Sequence, residues 1–106
     1  MSNMLQMQKK AEEVSEFIKC FGSPHRLMIF CQLSSGEKSV GQLIDATGIA
    51  QTSMSQHLAK LKSEGLVKFR RDHRTLYYSI SSPDVQRVME ALHDIYCKDI
   101  VNSTAD

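Results

Sequence analysis

From its first residues the chain places apolar side chains at a helical period. Met4, Met7, Ala11, Val14, Ile18 and Phe21 recur every three or four positions, with Lys9, Lys10, Glu12, Glu13 and Glu16 mostly between them. That spacing predicts an amphipathic helix over residues 4–21. Gly22 stops it, Ser23 suits an N-cap, and Pro24 fits the first helical position, where a missing N–H costs nothing. A second helix is predicted from Pro24 to Leu33. Its Leu27, Met28, Ile29, Phe30, Cys31 and Leu33 cover more than one face, so it is expected to be largely buried.

After Ser34-Ser35-Gly36, Ser39 is a candidate cap for a short third helix with Val40, Leu43 and Ile44 apolar, closed by Gly48 in the left-handed conformation glycine favours. A fourth helix follows from Gln51 to Glu64. Met54, Leu58 and Leu61 form one stripe, which leaves Ser53, Ser55, Gln56, His57, Lys60 and Lys62 for other faces. Leu66–Arg71 and Thr75–Ile80 alternate with period two and are expected to pair as a hairpin through Asp72-His73-Arg74. Ser82 and Pro83 begin a last helix over 83–100 whose Val85, Val88, Met89, Leu92, Ile95, Tyr96 and Ile100 make a long apolar stripe, and 102–106 is expected to fray. The pattern predicts a mostly α fold with a small β-hairpin, five helices and a wing in one domain over residues 1–106.

Composition narrows the class. Hydrophobic residues make up 42% and charged residues 24% of the 106 positions, too apolar for a disordered chain. With no membrane-length apolar run and no signal-peptide pattern in MSNMLQMQKK, a cytoplasmic protein without membrane association is expected. The net charge of +1 conceals an asymmetry. Gln51–Arg74 carries six Lys/Arg against two acids, while the remainder carries seven against ten. A local basic face of this kind can neutralise phosphates, although a solvated charged surface has the same composition.

A short helix, a glycine-containing turn and a polar second helix make a helix-turn-helix, here over 39–65, with a wing over 66–80. The second helix of such a pair enters the major groove N-terminus first. Gln51, Thr52, Ser53, Ser55, Gln56 and His57 would then lie at base edges and phosphates, with Lys60 and Lys62 farther along the backbone. Arg70, Arg71, His73 and Arg74 of the wing suit phosphate or the minor groove. Ala50 is the one discordant residue, because it stands where a Ser or Asp cap would add about 1 kcal/mol. No nucleophile motif, glycine-rich phosphate loop or paired carboxylate points to an enzyme or a bound cofactor. A protein-interaction module with the same fold remains the alternative from another class.

Through SPHRLMIFCQL, SVGQLIDATGIAQTSMSQHLAKLKSEGLV and RRDHRTLYYSI, residues 17–97 resemble the ArsR/SmtB family of bacterial repressors. The resemblance implies a homodimer held by its first and last helices, 4–21 and 83–100, binding double-stranded DNA at a palindromic operator until an inducer releases it. Many members respond to metals, which gives a second reading. However, the stretch matching the arsenic-type cysteine pair is Ser39-Val40-Gly41, and Gln86 and Cys97 break the zinc-type pattern of Asp84, His93 and Asp94, so no metal site is expected. Taken alone, the three cysteines are better explained as small buried hydrophobes than as functional thiols. In SPHRLMIFCQL and LHDIYCKD, however, Cys31 and Cys97 stand where the thiol-responsive subgroup that includes BigR, SqrR and HlyU carries its sensing pair. The resemblance therefore implies release by an oxidant or a small reactive sulfur species. Cys20 matches neither position.

Overall fold

The computed structural model describes the backbone of residues 2–97 and the side chains of residues 3–96. Helix α1 spans Ser2–Lys19 and α2 spans Pro24–Leu33. Strand β1 is Lys38–Ser39, followed by α3 (Val40–Thr47) and α4 (Gln51–Ser63). Strands β2 (Val67–Asp72) and β3 (Thr75–Ile80) form the wing, and α5 (Pro83–Leu92) runs into a π-helical turn, His93–Cys97. The fold is mostly helical with a small antiparallel sheet, as the pattern predicts.

Local chemistry sets most of these boundaries. Ser23 caps α2 by accepting from the Arg26 amide, and Ser82 caps α5 by accepting from Val85, each with proline in the first turn. Around α3 the cap is reciprocal: the Gln42 amide donates to Ser39 Oγ, and Gln42 Oε1 accepts from the Ser39 amide. Gly48 leaves α3 at φ 74°, where a Cβ would be strained. Thr47 Oγ1 then accepts from the Ile49 amide and donates to the Leu43 carbonyl, which fixes the turn into α4.

Ala50 adopts the extended conformation of an N-cap, φ −62° and ψ 151°, without any side-chain bond to α4. Ala50→Ser supplies the missing acceptor and is expected to add about 0.5–1 kcal/mol, read as a thermal midpoint a few degrees higher at equal protein concentration.

The core is a single cluster that sits behind α4. Ile29, Phe30 and Leu33 of α2, Leu43 of α3, and Met54, Leu58 and Leu61 of α4 are buried against Val67, Tyr78, Val85 and Met89. The 54/58/61 stripe therefore fixes which face of α4 turns inward. Ile49 is also buried and pins the turn before α4 to the same core.

Several expectations need correction. Helix α1 closes at Lys19 because the next amides, Cys20 to Gly22, each bond to the carbonyl three residues back and tighten the chain into a turn. The hairpin turn is His73-Arg74 alone, since Asp72 pairs with Thr75, and His73 takes φ 58°. The sheet has a third strand that the hydrophobic pattern did not predict: Lys38 and Ser39 pair with Tyr78 and Tyr77, which makes β3 central. Helix α2 is less buried than expected, with Met28 and Cys31 exposed because only one of its faces meets the core. The last helix is not regular to residue 100, because it widens into the π turn at His93. Its predicted end and the fraying tail lie outside the described residues. Among those residues no helix is long and apolar enough to cross a membrane.

Candidate nucleic-acid interface

With Met54, Leu58 and Leu61 buried, the opposite face of α4 is polar and exposed. Gln51, Thr52, Ser55, Gln56 and Lys60 all lie on it, and Ser53 is half-buried at its edge. The N-terminal turn of α4 thus offers short hydrogen-bonding side chains beside its unpaired backbone amides, a combination suited to phosphate and base edges alike.

His57 has a protein partner. Its Nε2 lies 3.2 Å from Nδ1 of His25 on α2, the rings meet edge to face, and the side chain is half-buried. Burial, then the charges of His25, Arg26 and Lys60, depresses its pKa, which favours a neutral imidazole. His57 consequently presents less of itself outward than Gln56 does.

About two helical turns farther along α4, Arg26 of α2 clasps Glu64, the C-cap of α4, through bonds of 2.8 and 3.2 Å. The hydrogen bonds from Arg26 hold the Glu64 carboxyl below its ordinary pKa. A depressed carboxyl stabilises the fold above its unfolded pKa of about 4.3, and this contribution is lost as pH falls through the lower folded value. Both contacts join α2 to α4, and neither has a sequence signal, since their partners are 32 and 38 residues apart.

The wing divides its cations. Arg70 is folded back: its Nε and Nη2 reach Glu37 at 3.0 and 2.5 Å, and its guanidinium lies 4.6 Å above the Tyr77 ring. Lys62 likewise stacks over Phe69 at 4.9 Å. Arg71, His73 and Arg74 are exposed, and His73 lies 3.6 Å from Asp72. Among the described residues neither Arg71 nor Arg74 has an ion-pair partner, so these two guanidinium groups project from the hairpin end.

The cysteines separate by environment. Cys20 is buried, and burial raises its thiol pKa. Cys31 is exposed and opens into an apolar pocket of about 380 Å³ between α2 and α5. His93 and Tyr96, from the turn that ends at Cys97, line the same pocket. The Cys97 side chain lies outside the described residues. No cluster of three or more metal-ligating side chains occurs among the described residues.

Comparison with known proteins agrees with this geometry. Residues 23–68 match the family described as bacterial regulatory protein, arsR family. The chain is 36% identical to the transcriptional activator HlyU of Vibrio cholerae, covering 91% of this chain and 89% of that one. The solved structure of reduced HlyU superposes with a TM-score of 0.82 over 88% of this chain and 98% of that one. The biofilm growth-associated repressor of Xylella fastidiosa is 37% identical over 86% of this chain and 80% of its own. A homodimeric winged helix-turn-helix DNA-binding domain from Mycobacterium bovis is 30% identical, with a TM-score of 0.70 over 90% of this chain and 88% of that one. These relatives are regulators of transcription rather than enzymes. The exposed polar face of α4, the wing behind it and these relatives together identify the chain as a member of the arsR family of bacterial transcriptional regulators.

Proposed function

We propose that the chain is a homodimeric repressor that holds a palindromic operator and is released when Cys31 and Cys97 become linked. In this reading residues 1–106 act as one winged-helix domain. Gln51, Thr52, Ser53, Ser55 and Gln56 lie in the major groove with His57 at the inner edge. Lys60, Lys62, Arg70, Arg71, His73 and Arg74 supply backbone contacts, and Arg71 and Arg74 are the most outward of these.

Dimerisation is supported by apolar side chains that the protomer leaves in water. Met4, Leu5, Met7, Val14 and Ile18 of α1 are exposed, and so is Ile95, at 68%. An exposed apolar stripe on α1 together with Ile95 is the kind of surface that a protein contact would cover. An isologous pairing would present two α4 helices to half-sites one helical turn apart.

The observation that carries the switch is the exposure of Cys31 in a pocket walled by the turn that leads to Cys97. The chemistry balances with a hydropersulfide donor. The Cys31 thiolate attacks the terminal sulfane sulfur, the donor S–S bond breaks, and a thiolate leaves. The Cys97 thiolate then attacks Cys31 Sγ, closing the disulfide and expelling hydrosulfide. Two thiols are oxidised and one sulfane sulfur is reduced to sulfide. Drawing the last turn onto α2 would shift the dimer helices and the spacing of the two α4 helices.

Selection from a pool of random duplexes, followed by titration at several salt concentrations, tests the DNA-binding part. The expected operator has two inverted half-sites about 10 bp apart and takes two protomers, with affinity falling steeply as salt rises. Recovery of no preferred sequence, or affinity indifferent to salt, would contradict it.

A further inference from the structure

The pocket that Cys31 opens into has its own selectivity. Leu27, Met28, Met89, Leu92 and Tyr96 line it, and among the described residues Ser34 and His93 complete its wall beside Cys31. No lysine or arginine is among these described lining residues. Its volume of about 380 Å³ is at the small end for ligand sites, enough for a compact body with few polar atoms. Cys31 also borders a second pocket of about 330 Å³, lined with it by Ser34, Ser35, His93 and Glu90. The Glu90 carboxylate is kept near this rim by the Gln86 amide, whose Nε2 lies 3.4 Å from Glu90 Oε2 and 3.1 Å from the Ser34 carbonyl oxygen. A donor approaching Cys31 thus meets apolar walls in one pocket and a carboxylate in the other.

We infer that this site selects its sulfur donor, accepting small uncharged polysulfides with an apolar body ahead of anionic peptide-borne ones. The inference rests on the thiol-switch reading above and names the class of inducer. For a trisulfide R–S–S–S–R, the Cys31 thiolate attacks a terminal sulfur, forming Cys31–S–S–R and releasing the perthiolate R–S–S⁻. The R group then lies against Leu27, Met89 and Leu92 until the Cys97 thiolate attacks Cys31 Sγ, closes the Cys31–Cys97 disulfide and displaces R–S⁻. A perthiolate is a good leaving group, so Cys31 needs no special activation. An R group bearing carboxylates would have to desolvate them against apolar side chains, with no lysine or arginine among the described walls and beside the like charge of Glu90.

The test follows Cys31 modification by mass spectrometry with dipropyl trisulfide and glutathione trisulfide on the full chain. Each rate is divided by the rate for the same chain unfolded in urea, which removes intrinsic reactivity. The folded-to-unfolded ratio is expected to favour dipropyl trisulfide by about tenfold or more. In Glu90→Lys, an exposed substitution, the gap should narrow because the glutathione donor speeds up. Equal ratios for the two donors in the parent protein would overturn the selectivity and leave the thiol switch standing. An unchanged gap in Glu90→Lys would overturn the role given to charge. Reaction of the folded chain with neither donor would remove the switch as well.

Discussion

Cys31→Ser and Cys97→Ser are each expected to bind the operator as tightly as the parent protein and to remain bound when a sulfane-sulfur donor is added. The parent should lose affinity by about 10- to 100-fold, the usual scale of coupling between an effector and a DNA site. Serine keeps the size of the side chain and removes the nucleophile. Cys31 is exposed, so the substitution costs little packing. Cys20→Ser provides the contrast. Cys20 is 6% exposed, and burial holds its thiol in the protonated form, which is the unreactive one. That variant should lose some stability and keep the response. Titration of each variant by fluorescence anisotropy, with and without donor, reads all three outcomes. Release of Cys31→Ser at the parent's donor concentration would show that the response does not pass through this thiol.

The second large effect belongs to the wing. Arg71→Ala together with Arg74→Ala is expected to weaken operator binding about 100-fold near physiological salt, because a dimer loses four phosphate contacts. The slope of log affinity against log salt should flatten by about 3.6, at roughly 0.9 for each contact. Stability should barely change, since both side chains are exposed and have no ion-pair partner among the described residues. Arg70→Ala should behave differently. Its guanidinium is already engaged by Glu37 and Tyr77, so it has less to give to a phosphate. A substantial loss of affinity with an unchanged salt slope would place the wing away from the backbone.

Much of the frame was legible because its causes are local. The Ser39–Gln42 capping box, Gly48 and the 54/58/61 stripe each act within a few residues, so their spacing alone positions α3, the turn and α4. The wing was legible for the same reason, through strict alternation on either side of a short polar turn. Strand β1 was not. Two residues carry no periodicity, and Lys38-Ser39 becomes a strand only because Tyr77 and Tyr78 offer a free edge.

The site was legible in part for a similar reason. Position along α4 follows from the apolar stripe, so the exposure of Gln51, Thr52, Ser55 and Gln56 could be expected. What occupies each side chain could not. His57 meets His25, Arg70 meets Glu37, and Arg26 meets Glu64 through tertiary proximity between segments more than 30 residues apart. The exposure of Cys31 belongs with these. Its helix is apolar enough to be buried all round, yet only one face of it meets the core. This places at the surface a thiol whose composition alone would suggest the interior.

Under the proposed function, these contacts would place α2 between sensor and reader. Cys31 lies toward its C-terminal end, and His25 and Arg26, at its N-terminal end, grip α4 at His57 and Glu64. A displacement of α2 caused by linking Cys31 therefore has a short, packed route to the recognition helix.

The central claim is that linking Cys31 to Cys97 is the event that frees the DNA. Its most direct test is a peptide map of donor-treated protein, separated into operator-bound and released fractions without reduction. The account predicts a Cys31–Cys97 linked peptide in the released fraction and its absence from the bound one. Released protein that lacks this link, or bound protein that carries it, would contradict the account.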